Sequence, residues 1–150
     1  MSRVDVQLAT LARSVPRRPE FSRWVDATLS AEGATGDISI RVVDEEESRT
    51  LNREYRSKDK PTNVLSFPAE LPAEVEPRLL GDIVICAPVV AAEAAAQGKT
   101  ARAHWAHLVV HGTLHLLGYD HERSPEARRM EARETHILAG LGFPNPYARS

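Results

Sequence analysis

Three unevenly spaced histidines give the chain its clearest chemistry. Residues 111–121 read HGTLHLLGYDH, which sets His111, His115 and His121 at relative positions zero, four and ten, with Gly118 before the last. A four-residue interval places His111 and His115 about one helical turn apart, so both rings leave one face. Gly118 can take the left-handed backbone that ends a helix, after which the chain folds back and delivers His121. Neutral imidazole suits zinc, and three protein ligands leave a fourth position where water is acidified to a pKa near ~7. An open position points to catalysis rather than to a structural ion. In zinc peptidases with this spacing a glutamate follows the first histidine and takes the proton of that water; here the residue is Gly112. The pattern therefore keeps the metal ligands and lacks the peptidase base. Asp120 could orient a ligand ring, or serve as an ordinary turn residue after the helix.

A second constellation lies at residues 52–68, NREYRSKDKPTNVLSFP, where a helix runs into a charged loop and then an apolar strand. Arg56, Lys58 and Lys60 fall there. A guanidinium is planar, permanently charged and able to grip two phosphate oxygens, which makes Arg56 a candidate for stabilising charge on a phosphate under attack. The plainer alternative is a solvated helix end, where cations are favoured by the local dipole alone. Asp59, Thr62, Asn63 and Ser66 surround a Pro-Thr turn and are expected to hydrogen-bond within it.

The elements that must carry these groups follow from periodicity and punctuation. Residues 3–8 alternate as a strand, and FSRWVDATLSAE at 21–32 places Phe21, Trp24, Val25 and Leu29 on one helical face. ISIRVV at 38–43 alternates, and Asp44 with Glu47 three residues on predicts a capped helix toward Tyr55. NVLSF at 63–67 and GDIVIC at 81–86 predict two more strands, separated by an exposed Pro- and Glu-rich loop over 69–80. Pro88 starts an Ala-rich helix ending near Gly98, Thr100 caps the histidine helix, and Ser124 with Pro125 opens the last one. The order βαβαββααα predicts a single α+β domain over 1–150, with about five helices on a mixed sheet of about four strands and a zincin-like metal-site helix.

Other polar residues near the motifs have plainer explanations. His104 and His107 share nearly the same face as His111, but His104 is about 10 Å further along the axis, outside one ion's shell. Both are expected to pack or hydrogen-bond, and Trp105 to lie in the core. Asp82 could place a carboxylate near the metal, yet a strand-end hydrogen bond explains it equally, and it is left out of the site. ARRMEARET is expected to be a solvated helix face, with Met130 in its interior and no metzincin-type Met-turn.

Composition narrows the function classes. With 19 Lys plus Arg against 21 Asp plus Glu, a net charge of -2 provides no global field for nucleic acid, so any RNA contact must use a local patch. An apolar fraction of 42% over 150 residues is ample for one core. No segment has the length of a signal peptide or the ~20 apolar residues of a membrane span, so a cytoplasmic protein without membrane or DNA partners is expected. The lone Cys86 excludes an internal disulfide and is expected to be buried.

HGTLHLLGYDH, with LNREYRSKDKPTNVLSFP and LLGDIVI upstream in that order, resembles the YbeY family of bacterial endoribonucleases and rRNA maturation factors. The resemblance implies an α+β metalloprotein fold, one zinc ion on His111, His115 and His121, and single-strand-specific RNA cleavage. It further implies maturation of the 3′ end of small-subunit rRNA, ribosome quality control, and small-subunit partners that include a ribosome-associated GTPase. It also carries a functional arginine onto Arg56. Many members have Asp where this chain has Asn63. A noncatalytic, zinc-stabilised assembly factor is the alternative, and a metallopeptidase a more distant one.

Overall fold

The computed structural model of the chain describes residues 3–69, 78–120 and 122–148. In order these form β1 (Val4–Ala9), α1 (Arg18–Ala31), β2 (Asp37–Val43), α2 (Glu45–Arg56), β3 (Val64–Pro68), β4 (Leu79–Cys86), α3 (Ala87–Gln97), α4 (Ala101–Leu116) and α5 (Ser124–Gly140). This is the α+β order expected from periodicity. The strands lie as β1-β2-β4-β3, with β1, β2 and β4 mutually parallel and β3 antiparallel to β4.

Alternation along the strands divides the apolar residues between the two faces of the sheet. Ile38, Ile40 and Val42 of β2 with Ile83 and Ile85 of β4 join the larger core, together with Phe21, Trp24, Trp105 and Val109. Val84 and Cys86 turn to the opposite face and pack with Val43, Leu65 and Leu51. Phe21 sits edge-on to both Trp24 and Trp105, with ring centroids 5.9 and 5.8 Å away, which knits α1 to α4. Each such fully buried aromatic contributes roughly 1.5–3 kcal/mol through area alone, and edge-to-face pairing adds about 0.5–1.5.

Some boundaries differ from the sequence reading, for identifiable reasons. Helix α1 starts at Arg18, not 21, because Pro19 suits a first turn and the Glu20 carboxylate accepts from the Arg17 N–H. Strand β4 starts at Leu79, two residues earlier, because Leu79 pairs with Asp37 beyond the irregularity at Asp37/Ile38. The remainder of the expected exposed loop, residues 70–77, lies outside the described residues. Asp44 occupies the N-cap position of α2 but makes no cap hydrogen bond. Its carboxylate accepts instead from the Thr10 hydroxyl and the Leu11 N–H, while Glu47 pairs with Arg41 across to β2. Thr100 does cap α4, accepting from the Ala103 N–H at 3.1 Å. Among the described residues no helix is long and apolar enough to cross a membrane.

Candidate functional site

Helix α4 lies across the sheet with most of its surface buried, from His104 and Trp105 through Val109 and Val110 to Leu116. Close approach requires Gly112, where an added Cβ would stand 3.1–3.2 Å from Ile83 and the Ser66 hydroxyl. Ser66 donates to the Gly112 carbonyl at 3.2 Å, so it bridges β3 to α4 rather than bonding within its own turn. A peptidase-type glutamate at 112 would thus face the strands.

The four histidines of α4 form a ladder. Ring centroids are 6.1 Å apart for His104 and His107, 6.2 Å for His107 and His111, and 4.6 Å for His111 and His115. The expected pairing of His111 and His115 on one face is therefore present. After Leu116 the chain reverses through Gly118 at φ 100°, closed by the Tyr119 N–H on the Leu114 carbonyl. Asp120 accepts from the Glu122 N–H at 3.0 Å, as a turn residue does. The third histidine of the motif, His121, lies outside the described residues.

Behind this ladder stands a group that sequence reasoning missed. Glu134 of α5 is fully buried and accepts from His107 Nε2 at 2.7 Å, His111 Nδ1 at 2.8 Å and the Tyr147 hydroxyl. Burial opposes its ionisation, but these donors outweigh it and hold the carboxyl down at about 2. Tyr147 is correspondingly raised, by burial first and then by the carboxylate it faces. His107, His111 and Glu134 bring ligand atoms within 4.8 Å of one another, so the group could hold a metal ion. Two imidazoles and a carboxylate are donors that fit a borderline-soft divalent cation, and the buried, unpartnered Nδ1 of His107 adds another nitrogen nearby. The ARRMEARET helix is therefore no simple solvated face: it delivers Glu134 inward, with Met130 buried beside the core. His104 is bound separately to Glu93 at 2.8 Å, and burial lowers its pKa.

The second constellation meets the ladder in an open cleft of about 550 Å³. Tyr55, Arg56 and Lys58 line it from the end of α2, His115 from the last turn of α4, and Tyr119, Asp120 and Glu122 from the turn beyond it. Ser57, in the left-handed region at φ 57°, turns the chain directly after Arg56. The neighbouring arginines are committed, Arg49 and Arg53 both to Asp59, whereas Arg56 enters no ion pair among the described residues. Asp59 thus bonds to the helix, not within its turn. Asn52 and Ser48, both buried, secure the loop by a bond to the Lys60 carbonyl and a mutual pair with Thr62. Asn63 donates to Glu93 at 3.0 Å and accepts from the Val64 N–H. Lys60 does not line the cleft, and Asp82 lies in a separate groove with Arg41 and Phe67.

Fold and site together define an α+β domain whose histidine helix, laid across a mixed sheet, combines a metal-capable His/Glu cluster with a cationic helix end. The chain belongs to the endoribonuclease YbeY family, whose model matches residues 12–142. It is similar to the Endoribonuclease YbeY of Halorhodospira halophila (strain DSM 244 / SL1), 54% identical over 152 residues covering 98% of each chain. The solution structure of TM1509 from Thermotoga maritima has a similar fold, with a TM-score of 0.60 and 23% identity over 99% of this chain and 100% of that one.

Proposed function

We propose that the protein is a zinc-dependent endoribonuclease that cuts single-stranded RNA in the cytoplasm. It would act in late small-subunit maturation, at the 3′ end of 16S rRNA, and in ribosome quality control, alongside partners such as a ribosome-associated GTPase. One zinc ion per chain would be held by His111, His115 and His121. Membership of an endoribonuclease family supports the reaction class. The observation that carries the reading is the cleft itself, which joins Lys58 and Arg56, a cation without an ion pair among the described residues, to His115 of the proposed ligand pair.

When bound there, zinc supplies Lewis acidity and an acidified water at neutral pH. Arg56 binds and orients the scissile phosphate and offsets the charge that develops on it, an effect worth roughly 3–4 kcal/mol for a well-placed donor. Tyr55 supports the preference for single strands. Tyr55 is 65% exposed beside Arg56, and its ring is braced edge-on by Phe67 at 5.0 Å, which makes a stacking platform for an unpaired base.

The test is cleavage of end-labelled RNA, single-stranded and duplex, by zinc-loaded protein beside His115→Ala purified identically. Cleavage of the single strand by the wild type alone is expected. Equal cleavage by both proteins, or none, would favour a noncatalytic assembly factor.

A further inference from the structure

We propose that Glu134 is the positioning residue of the metal site, fixing the His111 ring from behind and itself fixed by His107 and by Tyr147 of the C-terminal segment. This rests on the zinc reading above and assigns a role that reading does not contain.

A lone carboxylate at zero exposure needs compensation, because losing its hydration costs several kcal/mol unless donors replace the water. Here three donors do so, from α4 and from the chain end. Their lengths separate the two roles a carboxylate could play. Two atoms bound to one tetrahedral zinc at ~2.1 Å would stand about 3.4 Å apart. Glu134 lies 2.8 Å from His111 Nδ1 and 2.7 Å from His107 Nε2, which are hydrogen-bond lengths.

An ionised carboxylate can only accept, so the proton of His111 must be on Nδ1 and the lone pair on Nε2. Glu134 thereby selects the tautomer, sets the ring plane and raises the basicity of the nitrogen that faces a cation, as carboxylate–histidine–zinc triads do. Its second oxygen is occupied by His107 and Tyr147, which leaves the carboxylate little freedom to rotate.

Tyr147 extends the arrangement to the end of the chain. Lys99 donates to the Pro146 carbonyl at 2.7 Å, and Asn145 accepts from the Tyr147 N–H at 2.9 Å and from Thr135 at 3.4 Å. The segment is therefore strapped across the junction of α3, α4 and α5, and the strap delivers the tyrosine hydroxyl to Glu134. Tyr147→Phe would preserve the packing and remove the hydroxyl, which donates to Glu134 and also lies 3.2 Å from His107 Nε2.

The experiment measures zinc affinity by competition with a chromophoric chelator, and the visible absorption of the cobalt-loaded protein, for wild type, Glu134→Gln, Tyr147→Phe, His111→Ala and His115→Ala. Circular dichroism of the metal-free proteins establishes that each is folded. Loss of a ligand-orienting partner is expected to weaken zinc 10–100-fold in Glu134→Gln and to shift the cobalt bands, with a smaller change in the same direction for Tyr147→Phe. A merely structural role would lower the melting temperature and leave the cobalt bands unmoved. Wild-type affinity and bands in both variants, with binding lost in His111→Ala, would overturn the proposal and leave the zinc reading standing. Binding lost in Glu134→Gln as completely as in His111→Ala would make Glu134 a ligand and overturn it too. Should Glu134→Gln not fold, Tyr147→Phe decides alone. Unaltered zinc affinity in both histidine variants would remove the zinc reading itself, and the proposal with it.

Discussion

Replacing Gly81 by alanine should destabilise the protein far more than the same change at Gly98, a glycine of positive φ in open space. Gly81 sits in the LLGDIVI motif at φ 149°, opposite Pro68 on β3. A Cβ there would lie 2.3 Å from the Phe67 carbonyl oxygen, 2.8 Å from Leu116 Cδ2 and 3.0 Å from Pro68 Cα. Leu116 can rotate, but the other two atoms are backbone, so one end of the β3–β4 pairing must open. Overpacking costs roughly 1–3 kcal/mol and a disfavoured backbone conformation about 1–3 more. Together these give ~2–6 kcal/mol, which for a domain of this size lowers Tm on the order of 10 °C. Gly98 provides the control, since it has φ 66° and nothing within 4 Å of an added Cβ. Strain alone at Gly98 should cost about 1 kcal/mol, a fall of roughly 3 °C. Thermal unfolding of the two variants by circular dichroism makes the comparison. A Gly81→Ala midpoint within about 2 °C of Gly98→Ala would refute the steric reasoning, whatever the absolute values.

Three other outcomes are expected. Asn52→Ala leaves the Lys60 carbonyl without its 2.8 Å donor and should cost about 1–3 kcal/mol in denaturant melts, while raising KM for RNA more than it lowers kcat, because the loop after Arg56 loses its anchor. Glu32 is disfavoured as an anion by burial, yet the Tyr119 hydroxyl and Arg133 outweigh this and hold its pKa below the ordinary value. Its stabilising contribution is accordingly complete above the ordinary carboxylate range and is lost as pH falls below it, so Glu32→Gln should show a shallower loss of stability on acidification than wild type. If an acidified water is the nucleophile, RNA products end in linear phosphates; 2′,3′-cyclic phosphate ends in mass spectra would show attack by the RNA's own hydroxyl instead.

Local chemistry made most of the fold legible. Strands β1 and β2 were visible as alternation, most clearly Ile38, Ile40 and Val42 against Ser39 and Arg41; β3 and β4 were visible as short apolar runs between turn residues, and Thr100 was recognisable as a cap from its position. The pairing of His111 with His115 followed from helical geometry alone. What sequence could not show depends on contacts distant along the chain. Asp44 looked like a cap, but Thr10 and Leu11 compete for its oxygens from 33–34 residues away. Glu134 lies among charged neighbours in ARRMEARET, and only the packing of α5 on α4 turns it inward. One signal was available: residues 127, 130, 134, 137, 138 and 141 share a helical face, and a charge on that otherwise apolar stripe is worth notice. Tyr147 carried no local signal, because its partner is 13 residues away across a turn.

The proposed function requires the cation at the end of α2 and the histidines of α4 to form one site with separable duties. Its most direct test is the rate of single-stranded RNA cleavage, with bound metal quantified on the same samples, for wild type, Arg56→Ala and His115→Ala. Arg56→Ala should retain its metal and lose about 10²–10³-fold in rate, whereas His115→Ala should lose both. An Arg56→Ala protein that cleaves at the wild-type rate with its metal in place would remove Arg56 from the site.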